Sequence, residues 1–510
     1  MDEELRPEFI AWRERRDRTL DEQREAARDK RHARGYRTAR ENLSDLVDRD
    51  SFQEYGQLAV AAQRSRRDYA DLQSSTAADG VITGTCTINA DRVGARRARA
   101  AVVVNDYAVL AGTQGFFHHR KLDRICELAG EHRLPLVMYT EGGGGRPGDT
   151  DVTTQIAGLN INSFATWAGL SGRVPRIAVN NGYCFAGNAA LFGSADFRIA
   201  TRSSWIGMAG PAMIEGGGLG KFEPTDIGPA ESQEKNGVID IAAQDEAHAT
   251  QLARQLLSYF QGAVSAWEAS PQEPLRDAVP QDRRWGYPVR AVIETLADCG
   301  SFLELQRIYG RSVITGFLRI EGRPMALVAN DCQQMGGAVD GEAAEKAARF
   351  LTICNALGLP VLSLTDTPGF MVGPASEEAG AVRRMASLFI AGAQMTVPVI
   401  AIFLRKGYGL GAMAMTGGSF ARPVYAASWP TGEFGGMGLE GAVQLGFRKE
   451  LDAKTDPAER AALFNELVAH MYEIGKASEA AAYLEIDAVI DPAETRSTIL
   501  RALAAATPAH

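Results

Sequence analysis

Two stretches of this 510-residue sequence have a composition suited to holding negative charge. The apolar run Arg176–Asn180 leads into Gly182-Tyr-Cys-Phe-Ala-Gly187 and then into the helix-like Asn188-Ala-Ala-Leu-Phe192. The run Val399–Leu404 leads into Arg405-Lys-Gly-Tyr-Gly-Leu-Gly-Ala412 and then into the helix-like Met413-Ala-Met-Thr416. Small residues at a strand-to-helix turn let a substrate approach the main chain, and the unpaired N–H groups that open a helix present partial positive charge to it. One such turn would equally serve tight packing of strand against helix; its occurrence at two matching places favours an oxyanion site. Neither stretch has the spacing of a phosphate loop or of a dinucleotide fingerprint, and no G-x-S-x-G nucleophile elbow occurs. Further glycine clusters, Glu141-Gly-Gly-Gly-Gly-Arg146, Glu215-Gly-Gly-Gly-Leu-Gly220 and Asp366-Thr-Pro-Gly-Phe370, fall near predicted strand ends. Ligands bind there in open α/β folds, although each cluster also reads as a plain surface turn.

Other chemistries find little support. The cysteines (Cys86, Cys126, Cys184, Cys299, Cys332, Cys354) include no C-x-x-C pair and read as reduced core residues. His118 and His119 are adjacent and point in different directions, and no H-E-x-x-H spacing occurs, so no metal is expected. A net charge of −9 gives no electrostatic reason to expect nucleic acid. The basic residues between Arg13 and Arg40 are interrupted by acids and read first as a solvated helix face, second as cations for anionic phosphates. No apolar run approaches the roughly 20 residues of a membrane span. The opening MDEELRPEFIAWRERRDRTL is charged and helical in character, unlike a secretion signal, which points to the cytoplasm.

The elements that must carry the two turns are themselves repeated. Leu46-Val-Asp-Arg-Asp-Ser-Phe52 returns as Leu296-Ala-Asp-Cys-Gly-Ser-Phe302, and Val81-Ile-Thr-Gly84 as Val313-Ile-Thr-Gly316. Leu134-Pro-Leu-Val-Met-Tyr-Thr-Glu-Gly142 returns as the run from Leu359 to Gly369, and Val174-Pro-Arg-Ile-Ala-Val179 as Val397-Pro-Val-Ile-Ala-Ile402. Four matches in one order indicate an internal duplication. The separation falls from 250 to 232 residues between the first two pairs, so the first copy carries about 18 extra residues, in the polar stretch around Arg64–Asp79. Each copy alternates strand-like and helix-like segments: Ala100–Leu110, Phe116–His132 and Leu134–Thr140 in the first, Met325–Asn330, Glu342–Leu357 and Pro360–Asp366 in the second. Ala344, Ala347, Ala348, Leu351 and Cys354 give the last helix one core face. An α/β protein of two domains follows, 1–275 and 276–510, with the join in the proline-rich stretch Ser270–Asp282.

Beyond the two turns, Thr38-Ala-Arg-Glu-Asn42 followed by Asp50-Ser-Phe52, Glu345-Lys-Ala-Ala-Arg-Phe350, Asp366-Thr-Pro-Gly-Phe370, Arg405-Lys-Gly-Tyr-Gly409, Trp429-Pro-Thr-Gly-Glu433, Met437-Gly-Leu-Glu-Gly-Ala442 and Ile486-Asp-Ala-Val-Ile-Asp-Pro492 stand in order along nearly the whole chain. On these residues the sequence resembles the carboxyltransferase β subunits of biotin-dependent acyl-CoA carboxylases, in the crotonase-like (ClpP/crotonase) superfamily. The resemblance implies two tandem crotonase-like domains, the first on the acyl-CoA side and the second on the biotin side, with the active site between subunits of a dimer and three dimers in a homo-hexamer. It implies that the N–H groups of Ala186 and Gly187 hold the thioester enolate, and those of Leu410 and Gly411 the biotin ureido oxygen. Arg37, Arg40, Gly143, Gly144 and Gly182 would contact acyl-CoA, and Gly369, Phe370, Gly407 and Gly409 the biotin. Carboxybiotin, after releasing CO₂, would itself be basic enough to take the acyl α-proton, so no dedicated side-chain base is required.

The second turn departs from the family in reading Gly-Leu-Gly-Ala-Met where many relatives have Gly-Gly-Ala, which leaves the acyl chain length open. The runs Gly142–Asp149 and Met213–Gly220 look more like the single-chain, long-chain carboxylases. No Met-Lys-Met biotin-attachment motif and no ATP-grasp module are recognisable, so biotin carboxylase and a biotin carboxyl carrier are expected as partners. A carboxyacyl-CoA decarboxylase α subunit and a catalytically silent hexameric scaffold are the competing readings.

Overall fold

The computed structural model describes residues 6–152 and 158–506. Of the charged opening, Pro7–Asp17 forms a helix, while residues 1–5 lie outside the described residues. The chain divides into compact units at Gly262/Ala263, ahead of the expected 275/276. Residues 263–275 go with the second unit because they are bonded into it: Val264 N–H donates to Gly322 O, Ala269 bridges Asp298, and Leu275 lies in the second core.

Each unit is built on one sheet with the same plan. In the first, β1 (Gln53–Tyr55), β2 (Val81–Thr87), β3 (Arg99–Asn105), β4 (Leu136–Tyr139), β5 (Arg176–Phe185), β6 (Phe197–Gly207) and β7 (Ile241–Ala243) lie side by side in chain order. The first two pairings are antiparallel and the rest parallel. In the second, β8 (Leu303–Leu305), β9 (Val313–Ile320), β10 (Arg323–Asn330), β11 (Val361–Thr367), β12 (Val399–Tyr408), β13 (Tyr425–Ser428) and β15 (Ala488–Val489) repeat that order, and β14 (Glu433–Gly435) pairs with the end of β12. Again the first two pairings are antiparallel and the rest parallel. Parallel strands covered on both faces read as unbroken apolar runs, and Ala100–Val104 and Val361–Leu364 are buried throughout. The extra residues of the first copy form the β1–β2 connection, 56–80, with the helix Tyr69–Ser75; the matching β8–β9 connection is only 306–312.

The helix Phe116–His132 has the expected bounds, and Gly341–Ala356 begins and ends one residue before the expected Glu342–Leu357. Ala344, Ala347, Ala348, Leu351 and Cys354 are all buried. Lys121 and Lys346, 225 residues apart, also turn inward from these helices. Lys121 Nζ donates to the carbonyls of Ala78 and Val81, and Lys346 Nζ to those of Gln306 (2.9 Å) and Tyr309 (3.0 Å). Five of the six cysteines are buried, but Cys299 is exposed in the turn after Asp298, which corrects its expected place in the core.

A second repeated device ties each unit's last helix to its antiparallel strands. Asp48 accepts the N–H groups of Asn89 and Ala90; Asp298 accepts those of Glu321 and Gly322. Arg254, on the helix Glu246–Ser258, donates to Leu46 O and to Asp48. Arg496, on the helix Thr495–Ala506, donates in the same way to Leu296 O and to Asp298. The second clamp is the more buried, with side-chain exposures of 8% and 4% against 27% and 19%. Removing one member of a buried pair leaves an uncompensated charge. Arg496→Met should therefore lower stability by about 3 kcal/mol and Arg254→Met by less. The urea midpoints of the two variants check this, and equal losses would contradict the difference in burial.

Candidate active site

The first glycine turn is tighter than its sequence suggests. β5 does not stop at Asn180: it continues to Phe185 across an irregularity between Asn180 and Gly182, where Gly182 takes φ +83°. A side chain there would collide with Glu141 Oε1. The chain turns only at Ala186, with φ 50° and ψ −119°, and the helix Gly187–Gly193 follows at once. Such a conformation in a residue with a Cβ costs about 1–3 kcal/mol. Likewise β12 runs to Tyr408, so Arg405–Tyr408 are strand residues; Gly409 (φ +57°) turns, and the helix Gly409–Met415 carries Leu410 and Gly411 in its first turn.

The separation of 223 residues between the strands sets Ala186 on Gly409, Gly187 on Leu410 and Asn188 on Gly411. Ala186 N–H is already engaged by Gly207 O at 3.0 Å. The amides of Gly187 and Asn188 open the helix, with no preceding helical carbonyl to take them, and no acceptor for them is found among the described residues. The same is true of Leu410 and Gly411. The pair in the first unit equivalent to Leu410/Gly411 is therefore Gly187/Asn188, one residue beyond the expected Ala186/Gly187.

Main chain packs on main chain around each turn. In the first unit Asn188 Nδ2 donates to Thr140 O (3.1 Å) and its Oδ1 accepts Gly144 N–H (3.0 Å), in space open only because Gly142 has no Cβ. Gly143 N–H donates to Ala111 O (3.0 Å). In the second unit a Cβ on Gly411 would lie 2.7 Å from Gly369 Cα and 2.8 Å from Phe370 N, so the backbone of 369–370 takes the place of the Asn188 side chain. Facing these loops, Leu110, Ala111 and Gly112 are all left-handed (φ 48°, 54° and 62°), as are Met335, Gly336 and Gly337 (φ 49°, 65° and 89°). Non-glycine residues in that region concentrate at functional sites. Few signs of these triplets stand in the residues themselves: Leu-Ala-Gly and Met-Gly-Gly show only the final glycine in common.

Gly407 and Gly409 line a cavity of about 600 Å³ with Met413, Phe420, Phe434 and Met471. Gly369 and Phe370 are on the other side of the turn, Gly369 in a left-handed conformation and Phe370 against Phe389. Of the two expected cations, Arg40 is committed to Glu54 (2.9 and 3.1 Å) and to Thr19 O. It braces the N-terminal arm, with its charge paired to Glu54 and three of its five N–H donors spent. Arg37 pairs with Asp45 at the edge of an open groove shared with His32, Tyr36 and Ser44.

Each β4- or β11-type strand ends in a buried carboxylate, Glu141 or Asp366, and the two units neutralise it differently. Asp366 meets Arg405 of the neighbouring strand at 3.1 Å. The position equivalent to Arg405 is Gly182, and there Arg31, from the helix Glu25–His32, supplies the charge through two bonds of 2.8 and 2.9 Å to Glu141. Arg31 is held between Tyr36 and Tyr107. Burial nevertheless pushes the Glu141 carboxyl up to about 7, against the pull of Arg31.

Comparison with known proteins accords with this geometry. The carboxyl transferase domain family matches residues 30–510. This chain belongs to that family. It is 34% identical over 487 residues to the methylmalonyl-CoA carboxyltransferase 12S subunit of Propionibacterium freudenreichii subsp. shermanii, covering 93% of this chain and 89% of that one. It is 32% identical to the propionyl-CoA carboxylase beta chain of Saccharopolyspora erythraea, covering 94% and 89%. Among solved structures, a single-chain, multi-domain long-chain acyl-CoA carboxylase matches with a TM-score of 0.92 and 54% identity over 98% of this chain. The match spans about half of that longer protein, 49%. A transcarboxylase 12S structure, described as a hexamer with methylmalonyl-CoA bound, matches with a TM-score of 0.82 and 31% identity, covering 95% of this chain and 92% of that one. The two sheets are thus the tandem crotonase-like domains of a carboxyltransferase, the kind of subunit that serves biotin-dependent acyl-CoA carboxylases.

The Glu141 carboxyl generates a pH prediction. The folded chain keeps this proton between about pH 4.5 and 7, where the unfolded chain has lost it. The group's contribution is therefore complete below about 4.5 and is lost as pH rises through about 7. Urea midpoints of the wild type should fall over this interval and those of Glu141→Gln should fall less; parallel profiles would contradict the assignment.

Proposed function

We infer that this carboxyltransferase moves a carboxyl group from carboxybiotin, borne by a separate carrier protein, to the α-carbon of an acyl-CoA. The observation that carries the reading is the pair of unengaged amides at the same turn of both units, Gly187/Asn188 and Leu410/Gly411. The first pair would hold the thioester oxygen as negative charge develops when the α-proton leaves. The second would hold the ureido oxygen, beside an apolar cavity of about 600 Å³ suited to a small bicyclic ring. Carboxybiotin, when bound, supplies the activated carboxyl group. The chain supplies preorganised donors, which require no reorganisation at the moment of reaction. Arg37 is the cation placed to meet a CoA phosphate from the open groove, although its Asp45 partner would have to yield it.

The 54% identity to part of a long-chain acyl-CoA carboxylase, together with the runs Gly142–Asp149 and Met213–Gly220, supports a long-chain acyl-CoA as substrate. Within the first run, Arg146 is clamped between Asp79 and Asp149, so this loop shapes the turn while its charge stays internal. The partners are a biotin carboxylase and a biotin carboxyl carrier, and the assembly a homo-hexamer in which one copy's first unit faces another copy's second.

Acyl-CoAs from acetyl to palmitoyl, assayed for ATP-dependent carboxylation with a biotin carboxylase and a biotinylated carrier, should give activity that rises toward long chains. Decarboxylation of malonyl-CoA without net carboxylation would reverse the assigned direction. Gly187→Pro and Gly411→Pro, each deleting one amide N–H, should reduce transfer by about 10²–10³-fold. Near-normal turnover by either folded variant would count against the assigned turns.

A further inference from the structure

The first turn holds a polar group that its counterpart lacks. Gln114 lies on the strand-like segment between the left-handed triplet and the helix Phe116–His132. Its main chain is fixed on both sides by the glycine loop: Gln114 N–H donates to Gly144 O (2.7 Å) and Gln114 O accepts Arg146 N–H (2.9 Å). Its side chain reaches over Gly187. A Cβ on Gly187 would collide with Gln114 Oε1 and come within 3.2 Å of its Cδ and 3.1 Å of Phe164 Cζ. The residue is only 3% exposed, and its Nε2 is sealed from solvent without a partner.

A buried amide nitrogen with two unmade hydrogen bonds is unfavourable and calls for an explanation. The two ends of a carboxamide are nearly the same size, and half a turn about its last bond exchanges them. That turn brings the NH₂ to Gly187, where the amides of Gly187 and Asn188 also lack acceptors. The second unit shows that the fold does not need this group. Val339 occupies the equivalent place, with Val339 N–H donating to Gly369 O (3.0 Å) and Val339 O accepting Met371 N–H (2.9 Å). It is fully buried and offers no polar atom, and the residue equivalent to Gly187 is Leu410, whose side chain is exposed. Glycine and glutamine therefore occur together at the first turn and are both replaced at the second.

We propose that the Gln114 carboxamide is a catalytic side-chain donor that joins the main-chain amides of the first turn in holding the thioester oxygen of the acyl-CoA. This rests on the assignment of that turn to the thioester. Gln114 forms no covalent bond and releases no proton. Its role is to present its NH₂, turned when the thioester binds, to the oxygen before charge develops there, which requires the amide to be free of a competing internal acceptor.

The test uses the full chain with free biocytin as carboxyl acceptor and 2-carboxypalmitoyl-CoA, the α-carboxylated form of palmitoyl-CoA, as donor, so that no partner protein is involved. Gln114→Leu should lower kcat by about 10²-fold with KM changed by less than about threefold, and the near-isosteric Gln114→Glu should lose at least as much. In parallel, the infrared carbonyl stretch of bound palmitoyl-CoA labelled with ¹³C at the thioester should lie at lower frequency in the wild type than in Gln114→Leu, because a donor polarises the carbonyl. Turnover by the folded Gln114→Leu chain within about threefold of wild type would overturn the proposal. So would an unchanged stretch beside a fallen kcat, and so would failure of both variants to fold, since each marks a structural amide. Absence of any transfer or thioester binding by the wild type would instead overturn the assignment of the turn.

Discussion

The structure depends on letting main chain touch main chain at the end of one strand in each unit. A Cβ at Gly142 or Gly411 would occupy space already held by the Asn188 side chain or by the backbone of Gly369–Phe370. A Cβ at Gly112 would lie 2.6 Å from Glu141 O, and one at Gly337 would collide with Asp366 O. Packed this closely, the loops fix the first helical turn after β5 and after β12, and leave its opening amides without acceptors among the described residues. Backbone donors held in this way are already arranged for negative charge, whereas water would have to reorganise around it. The strain at Ala186 and in the Leu110–Gly112 triplet is the cost of that arrangement, and the Arg–Asp clamps and buried lysines belong to the frame that sustains it.

Duplication preserved this frame and let the polar groups around it diverge. Glu141 and Asp366 occupy one position, yet Arg405 neutralises the second from within the sheet while Arg31 reaches the first from outside it. The difference follows from Gly182, which provides no guanidinium and whose missing side chain gives the longer Glu141 room to extend. One consequence is that the N-terminal arm is fastened to the first unit beside its turn, through Arg31 and through the Arg24–Asp106 pair. Another is that the first turn carries a polar neighbour in Gln114 where the second has Val339. Two sites with one backbone and different surroundings suit a protein that must hold two different oxygens.

Much of the frame was legible in the residues. The four repeated segments mark the turn into β1, β2, β4 and β5 and their counterparts, and the shift in their spacing located the long β1–β2 connection. The amphipathic period of Gly341–Ala356 correctly assigned its core face. Less accessible were features set by tertiary contact. The strands β5 and β12 run several residues past their apolar stretches because their neighbours β6 and β14 extend with them, so each turn sits later than composition implies and Ala186 is bonded across the sheet. The left-handed triplets, the reach of Asn188 into the space beside Gly142, and the commitment of Arg40 to Glu54 leave no periodic signal. Proline-rich character near Ser270–Asp282 suggested a linker, whereas Leu275 and the Ala269 bridge anchor that stretch to the second unit.

The central claim is that each turn receives one oxygen on the amides that its helix leaves unengaged. A structure of the full chain crystallised with a CoA thioester and biocytin tests it most directly. The thioester oxygen should lie at hydrogen-bond distance, about 3 Å, from the nitrogens of Gly187 and Asn188, and the ureido oxygen at the same distance from those of Leu410 and Gly411. A thioester seated elsewhere, with both pairs of amides facing only water, would contradict the account.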